Sequence, residues 1–297
     1  MITPAEEIDV AVEGGWLRAG RWGDTGRTVL AVHGITATHV GWVEVAGRLP
    51  DATVLAADLR GRGRSAHLPG PYGLAAHVSD LVSLLNDVGC ERVVVAGHSM
   101  GGFVAVLLAA SHPDRVSRLV LVDGGLPTGR PEDAAPAGSI EEALGPAAAR
   151  LAMTFPSREA YHDFWRAHPA IGPIWGPAVQ AYVDYDLVGE PPELRSSCRE
   201  EAMRDDGAEI ADHAGVSATL RGVTAPITFL RAERGLLDGP PFYPEDAVAR
   251  WLHGSPVVEA RTVPDTNHYS LLLGADGAVA VAAAVSDALG APEPTTG

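Results

Sequence analysis

The segment Gly97-His98-Ser99-Met100-Gly101 stands directly between the β-branched run Val93-Val94-Val95 and the apolar run Phe103 to Ala110. That succession reads as a strand turning into a helix. Glycines two before and two after the serine let strand and helix approach with no side chain between them. A turn this tight lifts a serine hydroxyl clear of the backbone. Ser99 is therefore the candidate nucleophile, and the chain is constrained to an architecture in which strands feed helices.

The alternation continues along most of the chain. Ile8-Asp9-Val10-Ala11-Val12 and Trp16-Leu17-Arg18-Ala19-Gly20 flank Glu13-Gly14-Gly15 and predict an antiparallel hairpin. Buried-strand patterns follow at Thr28 to Val32, Thr53 to Ala57, Arg92 to Ala96, Arg118 to Val122, Ile227 to Leu230 and Val257 to Val263. Helical patterns fall between most of them, at Val40 to Leu49, Leu74 to Val88, Met100 to Ser111, Ala247 to Leu252 and Ala278 to Leu289. This order predicts an α/β fold whose mostly parallel sheet is covered on both faces. From about Leu126 to Arg221 no continuous β-branched strand appears, and proline, charge and aromatic content rise. The interval predicts an inserted helical cap, with helices at Glu141 to Met153, Ser157 to His168 and Pro192 to Asp205 and a loop or helix start at Ile171 to Pro177. The expected organisation is a core of residues 1–125 and 222–290, a cap of 126–221 and a disordered tail of 291–297.

Composition narrows the function classes. The 297 residues, 46% of them hydrophobic, suffice for a large core. Met1 to Glu7 lacks the basic start and apolar stretch of a signal peptide, and no apolar run is long enough to span a bilayer. A soluble, cytoplasmic protein is expected. Cys90 and Cys198 lie far apart, without metal-ligand spacing, and read as free thiols. The net charge is −16, and all 22 basic residues are arginine. That balance disfavours nucleic acid as a partner, and the absence of lysine excludes a Schiff-base mechanism. Arg60-Gly61-Arg62-Gly63-Arg64, the one basic cluster, reads as a local loop feature. No pattern assigns an oligomeric state.

A serine hydroxyl needs a base to take its proton and an acid to orient that base. His268, in Val263-Pro264-Asp265-Thr266-Asn267-His268-Tyr269, follows the last predicted strand, so its loop opens at the same end of the sheet as the Ser99 turn. It is the candidate base. An acyl-transfer oxyanion requires two fixed N–H donors, and Met100, at a helix N-terminus, supplies one. Gly34, after the strand Val29 to Val32, allows the Ile35 amide to turn inward as the second. His33, with no partner at ligand spacing, reads as a buried, hydrogen-bonded histidine, as do His98 and His112, and no metal site is expected.

With these residues in place, the chain resembles the α/β-hydrolase superfamily, specifically its capped serine hydrolases, over roughly Thr28 to Leu289. The resemblance rests on His33-Gly34, on Asp58-Leu59-Arg60-Gly61-Arg62-Gly63-Arg64-Ser65, on Gly97 to Gly102 and on His268, in the family's order. It also accounts for the string Gly61 to Ala66, which would otherwise hint at dinucleotide binding. The superfamily usually places its acid shortly after the strand that follows the cap. Here that stretch offers Glu233 and Asp238, with glycine near the expected place. Some members use the end of the preceding strand, where this chain has Asp123, and Asp123 is preferred because it needs no loop distortion to reach the sheet edge.

The resemblance implies a serine hydrolase that cleaves a carboxylic ester or lactone through an acyl-enzyme, without metal or organic cofactor. Its partner would be a small, apolar ester or lactone. Trp165, Trp175 and Tyr182, with Tyr161, Phe164 and Tyr185, are candidates to line the substrate pocket, although aromatics at helical spacing more often form core. Carbon–carbon bond hydrolysis, a cofactor-free lyase or a perhydrolase would use the same triad. A noncatalytic ligand receptor and an interaction module with a vestigial pocket remain alternatives of a different class.

Overall fold

The structure, a computed structural model, describes residues 4, 6–24, 26–127, 139–254 and 258–291. Strands β1 (Glu6–Val12) and β2 (Gly15–Trp22) form the expected antiparallel hairpin. β3 (Arg27–Val32) is followed by a 3-10 turn, His39–Trp42, and one turn of α-helix, α1 (Val43–Ala46). The longer helix expected at Val40 to Leu49 does not form. Gly41 and Gly47 and three β-branched valines make a poor helix interior. β4 (Ala52–Ala57), α2 (Leu74–Asp87), β5 (Val93–His98), α3 (Met100–Ser111) and β6 (Val116–Val122) complete the first half.

Between β6 and the next sheet strand lie α4 (Ser139–Leu151), α5 (Arg158–Arg166), α6 (Pro177–Asp186), the short hairpin β7 (Leu187–Val188) and β8 (Arg195–Ser196), α7 (Glu200–Ala211) and α8 (His213–Arg221). The helix expected at Pro192 to Asp205 begins only at Glu200. Prolines at 191 and 192 favour extended backbone, and residues up to Ser196 pair as the hairpin. α6 starts on Pro177, the position where a missing N–H costs nothing. The chain then returns as β9 (Ile227–Arg234), α9 (Glu245–Gly254), β10 (Val258–Asn267), α10 (Ser270–Leu273) and α11 (Ala275–Gly290). All of the expected tail beyond Ala291 lies outside the described residues.

The eight-stranded sheet runs β1-β2-β4-β3-β5-β6-β9-β10, parallel from β4 onward. Side chains alternate along its central strands. Leu30, Val95, Leu121 and Phe229 meet α2 and α3 on one face, while Val29, Val94, Val120 and Leu230 meet α1, α10 and α11 on the other. The cap has its own aromatic cluster around Tyr161, Trp165 and Tyr182. It sits over the C-terminal ends of the parallel strands, where open α/β sheets hold their ligands.

Leu121, fully buried in the middle of the sheet, offers a check on this layering. Leu121→Ala is expected to lower the unfolding free energy by about 2–5 kcal/mol in a denaturant titration. Val279→Ala, at a residue 56% exposed on α11, is expected to stay within about 0.5 kcal/mol of the parent.

Candidate active site

Ser99 joins β5 to α3 in a strained conformation, φ 55° and ψ −124°, that non-glycine residues seldom adopt. Close backbone approach holds it there. A Cβ on Gly101 would lie 2.1 Å from the Val32 carbonyl oxygen, and one on Gly97 would lie 2.3 Å from the Gly101 oxygen. Gly124 passes beneath the turn, where a Cβ would come within 2.0 Å of the Ser99 oxygen. The Ser99 amide donates to Val122 O at 3.0 Å, which fastens the turn to β6.

Asp123 follows β6 directly, with φ 46° and no exposed surface. Its Oδ2 lies 2.7 Å from His268 Nδ1, and its Oδ1 accepts the Ala232 amide at 3.1 Å. The second bond aims the carboxylate. His268 reaches it because β10 is irregular between Val263 and Asn267, after which Asn267 Oδ1 accepts the Tyr269 and Ser270 amides at 3.0 and 2.8 Å. The alternative acids are engaged elsewhere. Glu233 accepts the Asp265 amide, and Asp238 Oδ1 accepts from Arg234 and from Asn267 Nδ2 at 2.8 and 3.0 Å.

His98 Nε2 donates to the His268 carbonyl at 2.9 Å, which ties the ring beside Ser99 to the histidine loop. Burial pushes the His98 imidazole down to about 3, so it is neutral near pH 7. His33 is likewise driven to about 3 by burial. Its Nε2 accepts the Leu59 amide at 2.9 Å, so the proton resides on Nδ1 and is donated to Gly34 O at 2.7 Å. The Gly34-Ile35 turn is thus fixed against Ser99, whose Oγ would be only 3.5 Å from a Cβ on Gly34. His112 is half-buried, with Nδ1 3.0 Å from Ser111 Oγ.

The arginine cluster is internal. Arg60 forms a bidentate pair with Asp80, both contacts at 2.7 Å. Arg62, fully buried, meets Asp206 of α7 at 2.5 Å and donates to Ile35 O at 2.9 Å. One guanidinium therefore links the cap to the loop beside Ser99. Asp58 Oδ1 accepts from His39 Nδ1 at 2.8 Å, and Oδ2 accepts from Tyr185 of the cap at 2.7 Å. A Cβ on Gly63 would strike Asp58, so the glycine serves this carboxylate and no dinucleotide loop.

Ser99, Met100, Ile35 and His268 border one cavity of about 170 Å³, close to the size that holds a benzene molecule. Of the three aromatic candidates, Tyr182 lines it. Trp165 and Trp175 do not, which corrects that expectation. Trp165 is buried in the cap between Tyr161 and Phe164 with the Arg150 guanidinium 5.0 Å over its ring, and Trp175 stacks under Arg166 at 4.9 Å. Aromatics on neighbouring helices bury against each other first. The wall is instead built from Phe103, Ile210, Leu236, Phe242 and Leu272, with His213 from α8. Phe103 was legible in principle, since a side chain four residues beyond Ser99 on a helix leans back toward it. Cys90 and Cys198 are free thiols, and among the described residues no group of acidic, histidine or cysteine side chains could hold a metal. No helix among them is long and apolar enough to cross a membrane.

Residues 27–165 match a family model described as alpha/beta hydrolase fold. Lipase LipV of Mycobacterium tuberculosis is 44% identical over 108 residues, 36% of this chain and 41% of the lipase. A putative carbamate hydrolase, RutD, of a Caulobacter species is 37% identical over 100 residues, 33% of this chain and 37% of that protein. The chain thus spans less than half the length of these relatives. The crystal structure of a hypothetical protein from Pseudomonas aeruginosa PAO1 superposes with a TM-score of 0.73 at 26% identity, covering 96% of this chain and 98% of the other.

The buried carboxylates predict an acid limit to stability. Burial alone would raise Asp58 and Asp206, but His39 holds the first and His77 and Arg62 the second at about 2. A carboxyl depressed in the folded state stabilises it above its unfolded pKa of about 4, and that contribution is lost as pH falls toward 2. Unfolding midpoints are expected to fall steeply between about pH 4 and pH 2. Asp206→Asn, which strands Arg62, is expected to cost about 3–5 kcal/mol at pH 7 by chemical denaturation and to flatten that acid transition.

Proposed function

From the premise that the chain belongs to the α/β-hydrolase superfamily, we propose that it is a serine hydrolase cleaving small, uncharged carboxylic esters or lactones. The observation that carries this reading is the buried 2.7 Å contact from Asp123 to His268 Nδ1 beside the cavity that also holds Ser99. In this reading Asp123 fixes the imidazole with Nε2 unprotonated and facing the cavity. Ser99 Oγ attacks the substrate carbonyl carbon while His268 Nε2 takes its proton. The tetrahedral oxyanion is met by the Ile35 and Met100 amides, each contributing on the order of 3 kcal/mol to the transition state. The alcohol leaves with the proton from the imidazolium. Water, deprotonated by the same nitrogen, then attacks the acyl-Ser99 ester and releases the acid.

The substrate class follows from the wall. Among the described residues the lining carries no arginine, aspartate or glutamate, so it offers no counter-charge to an ionised substrate, while Phe103, Phe242 and Leu272 favour apolar groups.

A fluorophosphonate probe and a short-chain aryl ester test the assignment together. Wild type is expected to be labelled at Ser99 and to turn over the ester. Ser99→Ala is expected to do neither while its circular dichroism is unchanged. Asp123→Asn is expected to lower kcat by about 10⁴ with an unchanged thermal melt, whereas Glu233→Gln and Asp238→Asn stay within about tenfold. Labelling without turnover of any ester would favour the receptor reading, and collapse of Asp238→Asn with an active Asp123→Asn would move the acid.

A further inference from the structure

Phe103 stands between two cavities. Its ring, 5% exposed, walls the 170 Å³ catalytic cavity on one side and a second cavity of about 480 Å³ on the other. The second space lies where α3, α7 and α8 meet. Leu74, Val106 and Val216 form its buried wall, and the exposed Glu209 and Asp212 stand at its outer rim. α7 borders both spaces, giving Ile210 to the catalytic side and Ala208 and Glu209 to the far side. Because a helical side chain covers the turn N-terminal to its own Cα, the Phe103 ring lies over the turn that begins at Ser99. An acyl chain on Ser99 that runs toward α3 meets this ring, and beyond it lies the second space with its buried apolar wall.

We propose that Phe103 is the chain-length stop of this site: its ring limits the group it faces to about six carbons, and the second cavity is the channel a longer alkyl chain enters once the ring is removed. The inference rests on the ester-hydrolase reading above.

Phe103→Leu and Phe103→Ala, assayed with p-nitrophenyl esters from acetate to dodecanoate, test it. In wild type kcat/KM is expected to fall at least tenfold between the hexanoate and the decanoate. Both variants are expected to raise the decanoate-to-butyrate ratio at least tenfold, with the leucine variant serving if the alanine variant fails to fold. Adding Thr219→Trp on the opposite wall of the second cavity is expected to cancel that gain. A wild type that takes dodecanoate as readily as butyrate, a folded Phe103→Leu with an unchanged ratio, or a gain that survives Thr219→Trp overturns the proposal. If wild type hydrolyses butyrate while the length profile ignores position 103, this inference alone fails. If wild type neither hydrolyses any ester nor reacts with a fluorophosphonate, the ester reading fails and the inference with it.

Discussion

The rest of the structure depends on a contact made almost wholly of backbone, where the ends of β3, β5 and β6 converge on the first turn of α3. Positions 97, 101, 102 and 124 all lack a side chain, and at each a Cβ would fall within 2.5 Å of another backbone atom. This approach forces Ser99 into a conformation that costs on the order of 1–3 kcal/mol, and only a surrounding frame that over-determines the backbone can sustain it. Apolar packing on both faces of the sheet supplies the frame. The same convergence sets Asp123 under the turn, so that strained serine and buried carboxylate share one packing solution.

Polar contacts then hang the cap on this core. The segment from Asp58 to Leu74 meets it at several points: Asp58 accepts from Tyr185, the Gly63 amide donates to Ser197 Oγ, Arg62 meets Asp206, and the Gly73 and Leu74 amides donate to Asp206 and Glu209. Fully buried ion pairs are weak sources of stability, because desolvation offsets most of the attraction. What they add here is register. Arg62 spends its donors on Asp206, on its own loop and on Ile35 O, a planar three-way junction that a lysine ammonium could not replace. Arg62 therefore ties α7 of the cap directly to the Ile35 loop beside Ser99.

How much of this was legible follows from which signals are local. β3 through β6, and the helices α2 and α3 between them, were readable because period-two burial and helical runs are written in contiguous residues, and the β5-to-α3 turn because its glycines sit at fixed spacing. β9 and β10 extend several residues past their expected ends, since pairing with a neighbour, rather than composition, carries Arg231 to Arg234 into the sheet. The cap was legible only as an interval. Its two-residue strands exist through pairing with each other, and Trp165 and Trp175 were misplaced because a sequence shows that aromatics cluster but not whether the cluster faces a void or itself. Leu236 and Phe242 come to the cavity from the loop after β9 and His213 from α8, a convergence that no single stretch of sequence records.

The placement of the carboxylate explains one of those blind spots. The loop after β9 closes on itself through the bond from the Gly235 amide to Gly239 O and through Asp238, which reaches Asn267 and Arg234. Asp123 already occupies His268 Nδ1 from the end of β6, so a carboxylate on this loop would find that nitrogen taken. The loop presents apolar side chains, Leu236 and Phe242, to the cavity. Asp238, one residue past Leu237, acts instead on Asn267, whose own side chain caps the turn that carries His268. With a carboxylate on His268 from the end of β6, the loop after β9 serves as a wall of the cavity, and its apolar side chains shape that wall.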